Sequence, residues 1–373
     1  MTRPEERVIE LAHEVGFDLA GLAPLEPPPD AGRFEAWLDA GHHAGLDYLA
    51  RNRERIIDPR GLSQHRPATL LVLGLGHSRA AIELSDGTRI ARYAGGRDYH
   101  NLIGKLQKRL RRRLQEEGLI EGHARAVVDA GPLLERSHAR VAGLGFASKA
   151  ANLLNPRFGP WFFLAELVLP RELEPTPAPP AGSCGTCTAC LDACPTGALL
   201  EAGVLDADRC ISFHTIENRG PVPEAIEASS GAWAFGCDIC SEVCPWGKDA
   251  PDLALRFGSH AALEGGSAAG WMGHREDGAW RAEFEGSALR RPGRAAFLRN
   301  AAAILANQPS DAGRVALEGA LEADTSPLVR SAAARALGRA HRGDAGVRGA
   351  LEAALAREID DQVQHSLRDA LGG

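Results

Sequence analysis

Apolar positions recur every three or four residues in RVIELAHEVGF (Arg7 to Phe17), a spacing that predicts an opening amphipathic helix. TLLVLGLG (Thr69 to Gly76) is instead a continuous apolar run, which predicts a short buried strand. NLIGKLQKRLRRRLQEEG (Asn101 to Gly118) returns to helical spacing with lysine and arginine between the apolar positions, giving a strongly basic helix ended by Gly118. ARAVVDAG (Ala124 to Gly131) then reads as a strand, and PLLERSHARVAGLG (Pro132 to Gly145) as a helix opened by proline at its first turn. The pattern up to this point is mixed α/β. A proline-rich stretch, RELEPTPAPPAGS, follows and reads as a linker.

Beyond residue 290 the texture changes. LRNAAAILAN (Leu298 to Asn307) and VRSAAARALGR (Val329 to Arg339) superimpose with Arg299 over Arg330, and VQHSLRDALG (Val363 to Gly372) repeats the pattern more loosely. Small apolar residues at helical spacing, in segments offset by 31 and 34 residues (Leu298 to Val329, Val329 to Val363), predict stacked helix pairs of the HEAT type. Short solenoids of this kind mostly bind a large partner; the plainer alternative is that they complete the fold.

Composition alters the picture at two points. The chain has 373 residues, enough for two or three domains, and its apolar runs are too short to span a membrane. Its formal charge of −7 argues against a chain coated in positive charge, so a nucleic-acid partner has to be met by a local basic patch. All 8 cysteines fall between Cys184 and Cys244, a cluster region between two cysteine-free ones. The expected partition is 1–172, 173–255 and 256–373.

CGTCTACLDACP (Cys184 to Pro195) has the bacterial ferredoxin spacing C-x2-C-x2-C-x3-C-P, in which the fourth cysteine serves a different cluster from the first three. A second set is therefore required, and Cys210 with CDICSEVCP (Cys237 to Pro245) supplies it. Crossed pairing assigns Cys184, Cys187, Cys190 and Cys244 to one [4Fe-4S] cluster, and Cys194, Cys210, Cys237 and Cys240 to the other. Structural zinc and disulfides are the competing readings. The two C-P endings weigh against zinc. The charged, amphipathic N-terminus, unlike a secretory signal, weighs against disulfides and points to a reducing cytoplasm.

Local sequence then becomes specific. FDLAGLAP, GLDYLARNRERIIDP, RYAGGRDYH, VDAGPLLERSHARVAGLGF, LNPRFGPWFFLAEL, CISFHTIENRGPVP, GCDICSEVCPWGKDAP and FEGSALRRPGRAAFLRNAA resemble the signatures of the epoxyqueuosine reductases, almost end to end. The resemblance implies an α+β multidomain chain: an α/β cobalamin-binding catalytic domain, a ferredoxin-like domain with two [4Fe-4S] clusters, and HEAT-like helices that bind tRNA. It implies reduction of epoxyqueuosine to queuosine at the wobble position of tRNA, with base-off cobalamin reduced through the clusters to cob(I)alamin. An external low-potential electron donor is then needed. Nothing in the chain resembles a dimerisation repeat, so a monomer is expected.

Asp129 is the candidate proton donor. It sits where the apolar run AVV ends, at the kind of strand end where α/β sheets place ligands, and it falls on the family's aspartate in VDAGPLLER. Acting as an acid near neutral pH requires a raised pKa, which burial against a corrin face would supply; an aspartate that merely caps the following turn is the alternative. Arg92, Tyr99 and His100, in RYAGGRDYH, are expected to line the cofactor or substrate pocket. DYHNLI lacks the glycine of the D-x-H-x-x-G cobalamin motif, which argues against His100 as a cobalt ligand. Lys149, Asn152, Arg209 and Ser212 are polar candidates for corrin contacts. Departures from the family pattern at Ala150, Phe213 and His214 put individual corrin contacts in question.

For tRNA, Lys105, Lys108, Arg109, Arg111, Arg112 and Arg113 form one basic group, and Arg290, Arg291, Arg294 and Arg299, at the entry to the repeats, form another. Arginine forks suit phosphates, and such contacts make binding salt-dependent. Two other classes remain open: a corrinoid and iron-sulfur reductase of a small molecule, related to reductive dehalogenases, and an electron-transfer protein without catalysis of its own. tRNA binding separates the first, and a cobalamin spectrum the second.

Overall fold

The computed structural model describes residues 3–129, 131–177 and 182–372; residues 178–181 of the proline-rich linker, and Ala130, lie outside the described residues. The chain divides into two units that alternate along the sequence. One comprises Met1–Ala80, Asp98–Asp208 and Ile239–Phe257; the other comprises Ala81–Arg97, Arg209–Asp238 and Gly258–Gly373.

The first unit is built on a four-stranded sheet. Its strands are β1 (Leu19–Pro24), β2 (Thr69–Gly76), β3 (Arg125–Val127) and β4 (Phe162–Leu169), in the spatial order β1-β2-β4-β3. Every pair is antiparallel, with Leu22 opposite Leu71, Val72 opposite Glu166, and Val127 also opposite Glu166. All eight residues of β2 are buried, so this strand is covered on both faces, which explains its unbroken apolar sequence. The helices of the unit include α1 (Pro4–Val15), α2 (Tyr99–Glu116) and α3 (Glu135–Val141). Helix α1 packs on α2 and β1, whereas α3 packs on β1, β2 and β4. Ala139 and Ala142 join Val72, Val127 and Val168 in a single apolar cluster on the α3 side.

Two expectations are corrected. The sheet is antiparallel, so the unit is α+β, not the parallel α/β type in which ligands gather at the carboxyl ends of strands. Helix α3 starts at Glu135, not at Pro132; Gly131–Leu134 form a bend that carries the chain away from β3. The basic helix α2 does end as expected, with Gly118 at φ +66° just beyond it.

The second unit pairs Trp233–Phe235 parallel with Arg89–Ile90 and continues into helices. Its C-terminal part is α4 (Arg294–Asn307), α5 (Asp311–Ala323), α6 (Pro327–Ala340), α7 (Ala345–Arg357) and α8 (Asp361–Gly372). Alternate helices lie side by side, α4 on α6 and α6 on α8, and their alanines allow that close approach. Trp271, Trp280, Phe284 and Phe297 close one end of this core as an aromatic cluster, with Phe284 and Phe297 ring centres 5.1 Å apart. No helix among the described residues is long and apolar enough to cross a membrane.

Candidate functional site

Strand β3 ends at Val127, and two residues later Asp129 adopts φ +56°, a left-handed conformation uncommon for a residue with a Cβ. Such strain persists only where neighbours hold it, and it concentrates at functional positions. Here the backbone N–H of Asp129 donates to Glu135 Oε1 at 2.9 Å, and Tyr99 Oη donates to Asp129 Oδ2 at 3.1 Å. His100 brings Nε2 to 3.7 Å from the same Oδ2, while its Nδ1 sits 2.8 Å from Asp98 Oδ1. Asp98 also caps α2 by accepting from the backbone N–H of His100. The ring of Tyr99 is stacked between His100 and Phe163, with centres 4.1 Å from each, which fixes the hydroxyl on Asp129.

Hydrogen bonding to Asp129, and then to Asp98, outweighs burial and raises the His100 pKa to about 9. Its imidazole is therefore a cation near neutral pH, with both ring nitrogens turned to carboxylates. The Asp129 side chain is 49 % exposed, so the burial expected of it is not supplied by the chain itself.

Behind Asp129 lie two carboxyl groups that the sequence reading missed. Glu166, in β4, is wholly buried, and among the described residues neither of its carboxylate oxygens receives a hydrogen bond. Its polar neighbour is the carboxyl of Glu135 in α3. Burial, and then the negative charge of the neighbouring carboxylates, raises both groups. The signal available was a lone glutamate inside the apolar strand FFLAELVL.

Among the described residues no disulfide joins any of the eight cysteines, which goes against the disulfide reading. Within the first unit, Cys184, Cys187, Cys190, Cys240 and Cys244 line one cavity. Two short helices, Ala189–Ala193 and Ile239–Glu242, bring the two sequence runs together there. Burial pushes up the Cys190 and Cys244 thiols, and the neighbouring sulfurs add to it. For Cys194, burial is opposed by Thr196 and by peptide N–H groups; that of Ala198 lies 3.3 Å from the sulfur. Cys194 and Cys240 belong to the first unit, Cys210 and Cys237 to the second.

The other candidate residues fall into three sets. Lys149 donates from Nζ to the carbonyls of Gly185 and Cys187, at 2.8 and 2.9 Å, so it holds the first cysteine loop in place. Asn152 lines the same cavity and donates to Ser241. Arg92, Arg209 and Ser212 lie in the second unit, and the backbone N–H of Arg92 donates to Asp238 at 2.7 Å.

The expectation for Arg294 and Arg299 is corrected: they face inward. Arg294 is buried and forked onto Asp324, at 2.8 and 3.0 Å, with Asp277 as a further partner. Arg299, wholly buried, donates to the carbonyls of His214, Asn218 and Gly220 and to Asn300 Oδ1, and burial lowers its pKa to about 10. Arg290 and Arg291 remain exposed; Arg291 pairs with Glu217 at 2.6 Å. In the first unit, Lys105, Lys108, Arg109, Arg111 and Arg112 line a surface groove with His123.

Comparison with known proteins matches two family models: "4Fe-4S double cluster binding domain" over residues 183–247, and "Epoxyqueuosine reductase QueG, DUF1730" over residues 64–130. The epoxyqueuosine reductase of Synechococcus sp. is 39% identical over 321 residues, covering 81% of this chain and 94% of the relative. That of Xanthomonas campestris is 37% identical over 343 residues, covering 87% and 92%. Among solved structures, an epoxyqueuosine reductase with an epoxyqueuosine-modified tRNA-Tyr stem loop is 27% identical, with a TM-score of 0.89, covering 98% of this chain and 97% of its own. The Bacillus subtilis epoxyqueuosine reductase, solved with its catalytic aspartate loop swung out of the active site, is 26% identical, with a TM-score of 0.86 over 98% of each chain. On this evidence the chain belongs to the epoxyqueuosine reductase family.

Proposed function

We infer that this chain is an oxidoreductase that reduces epoxyqueuosine in tRNA. The observation that carries the reading is Asp129, held in a strained conformation by Tyr99, His100 and Glu135 in a family whose substrate is an epoxide. Removing an epoxide oxygen as water, with the alkene left behind, consumes two electrons and two protons. The proton falls to Asp129, which delivers it to the oxygen leaving carbon; Tyr99 and His100 fix where its carboxyl points. The electrons call for cofactors. A bound base-off cobalamin would supply reduction at low potential, fed through two [4Fe-4S] clusters.

Residues of the chain suit these groups. Cys184, Cys187, Cys190 and Cys244 share a cavity and form the first ligand set; Cys194, Cys210, Cys237 and Cys240 form the second, within the span of the double-cluster domain. Lys149 and Asn152 steady the first site, which is a role distinct from a direct corrin contact. Arg92, Tyr99, His100, Arg209 and Ser212 remain the residues proposed to border cofactor or substrate. No cobalt ligand is assigned to His100, in keeping with a base-off corrinoid.

The tRNA is expected on the groove of α2 and on Arg290 and Arg291, at the entry to a HEAT-like repeat region. Reading the wobble base requires it to leave its stack. The division into 1–172, 173–255 and 256–373, a cytoplasmic monomer, and an external electron donor complete the reading. Its test is an anaerobic single turnover by protein reconstituted with iron, sulfide and cobalamin, given a reductant and epoxyqueuosine-containing tRNA. Loss of one oxygen from the nucleoside supports the reading; tRNA that returns unchanged from fully loaded protein overturns it.

A further inference from the structure

We propose that Glu135 and Glu166 share one proton and form a reservoir that reloads Asp129, making them positioning residues for the second proton of the reaction. The inference rests on the function proposed above. Its first support is direction. Along β4, Glu166 points to the same face as Val168, and its register partners Val72 and Val127 lie in the apolar cluster against α3. Glu135 comes from the first turn of α3, onto the same face. Its Oε1 accepts from the backbone N–H of Asp129, which holds the Glu135 carboxyl beside the residue that carries the proposed donor.

The second support is the condition of Glu166. A carboxylate with no exposed surface and, among the described residues, no donor on either oxygen is costly to bury, whereas a neutral carboxylic acid beside a second carboxyl can share a hydrogen bond with it. The main-chain carbonyl of Glu166 is already satisfied by Gln107 Nε2 at 3.0 Å, which leaves the side chain alone without a donor.

The groups facing the pair are few. From α2 come His100 and Tyr99, both turned to the Asp129 carboxylate. From α3 comes Arg136, whose guanidinium donates to the Ala151 carbonyl, and His138, kept neutral by burial, which lowers its pKa to about 4. From β3 and β2 come Val127 and Val72, which carry no charge. A single proton on the two glutamates is the arrangement these surroundings favour, because a neighbouring carboxylate repels charge on the buried Glu166.

The balance is simple. Asp129 gives its proton to the departing oxygen and becomes a carboxylate. The Glu135–Glu166 pair passes its proton to Asp129, which gives it to the same oxygen as the second proton of the water released; the pair and Asp129, now anionic, are recharged from solvent once product leaves. No oxidant or reductant is involved. Because a substrate over Asp129 slows its proton exchange with bulk water, an internal proton source matters most at higher pH, where solvent protons are scarce.

The test uses the full chain with Glu166→Gln and, separately, Glu135→Gln. Without cofactors or tRNA, infrared titration of wild type is expected to show a protonated carboxyl band near neutral pH that Glu166→Gln removes. This readout is independent of activity, and its absence from wild type would overturn the proposal whether or not the tRNA reaction is found. In the loaded enzyme, Glu166→Gln should retain clusters, cobalamin and tRNA affinity with KM unchanged. Its kcat should drop at least about tenfold at pH 8 and recover toward wild type at pH 6, where solvent supplies protons. An equal loss at all pH values, or no loss, would contradict the reservoir.

Discussion

At the scale of single residues, the proposed chemistry concentrates on one carboxylate and the groups that hold it. Asp129→Asn keeps the shape of the site and removes the transferable proton, so single-turnover conversion should drop by about 10²–10⁴-fold with tRNA binding intact. His100 makes a different kind of statement. Its pKa is raised to about 9, first by Asp129 and then by Asp98, from an ordinary 6.5. A cation stabilised in the folded state contributes fully below pH 6.5 and loses that contribution as pH rises through about 9. Wild type should therefore lose thermal stability across that window more steeply than His100→Asn, an effect kept small by the partial exposure of the pair. Asp129 was legible as a candidate because it follows an apolar strand in a recognisable motif. Glu166 was not: a glutamate inside FFLAELVL is indistinguishable, without the fold, from an outward-facing residue of an edge strand. Arg294 and Arg299 misled for the opposite reason, since four nearby arginines read as a basic surface when the aspartate and carbonyls that absorb two of them are distant in sequence.

At the scale of elements, charge does two jobs. In α4, Arg294 reaches Asp324, at the C-terminal end of α5, and both are buried, so the fork ties successive helices. Removing one partner strands the other. Asp324→Asn is expected to cost about 3–5 kcal/mol in denaturant unfolding, whereas the exposed pair Arg348 with Glu352 should be worth less than about 1 kcal/mol. Along α2 the charges are used outward. Lys105, Lys108 and Arg109 are exposed and make no ion pair among the described residues, while Arg113 is committed to Glu14 and Glu117. Replacing the first three by alanine should reduce the salt dependence of tRNA binding by up to about three phosphate contacts; an unchanged slope would assign the groove to solvent. Periodicity located α1, α2, β2 and the C-terminal helices well, because each buries a regular stripe or is covered on all sides. It misplaced the start of α3, where a proline suited to a first helical turn sits instead in the bend that positions Asp129.

At the scale of the whole molecule, the cysteine spacing was the most legible feature, because cluster ligation demands both thiolate number and loop length. The sheet was the least legible: its strands alternate with helices along the chain, the sequence pattern of a parallel fold, yet all pairings are antiparallel. The two units interleave along the sequence, and the double-cluster span contributes segments to both. The measurement that tests the central claim most directly is the mass of the modified nucleoside after one anaerobic turnover by wild type and Asp129→Asn, each loaded with iron-sulfur clusters and cobalamin. The account expects wild type to remove one oxygen and the variant to leave the epoxide in place. Conversion by the variant at the wild-type rate, or none by loaded wild type, would contradict it.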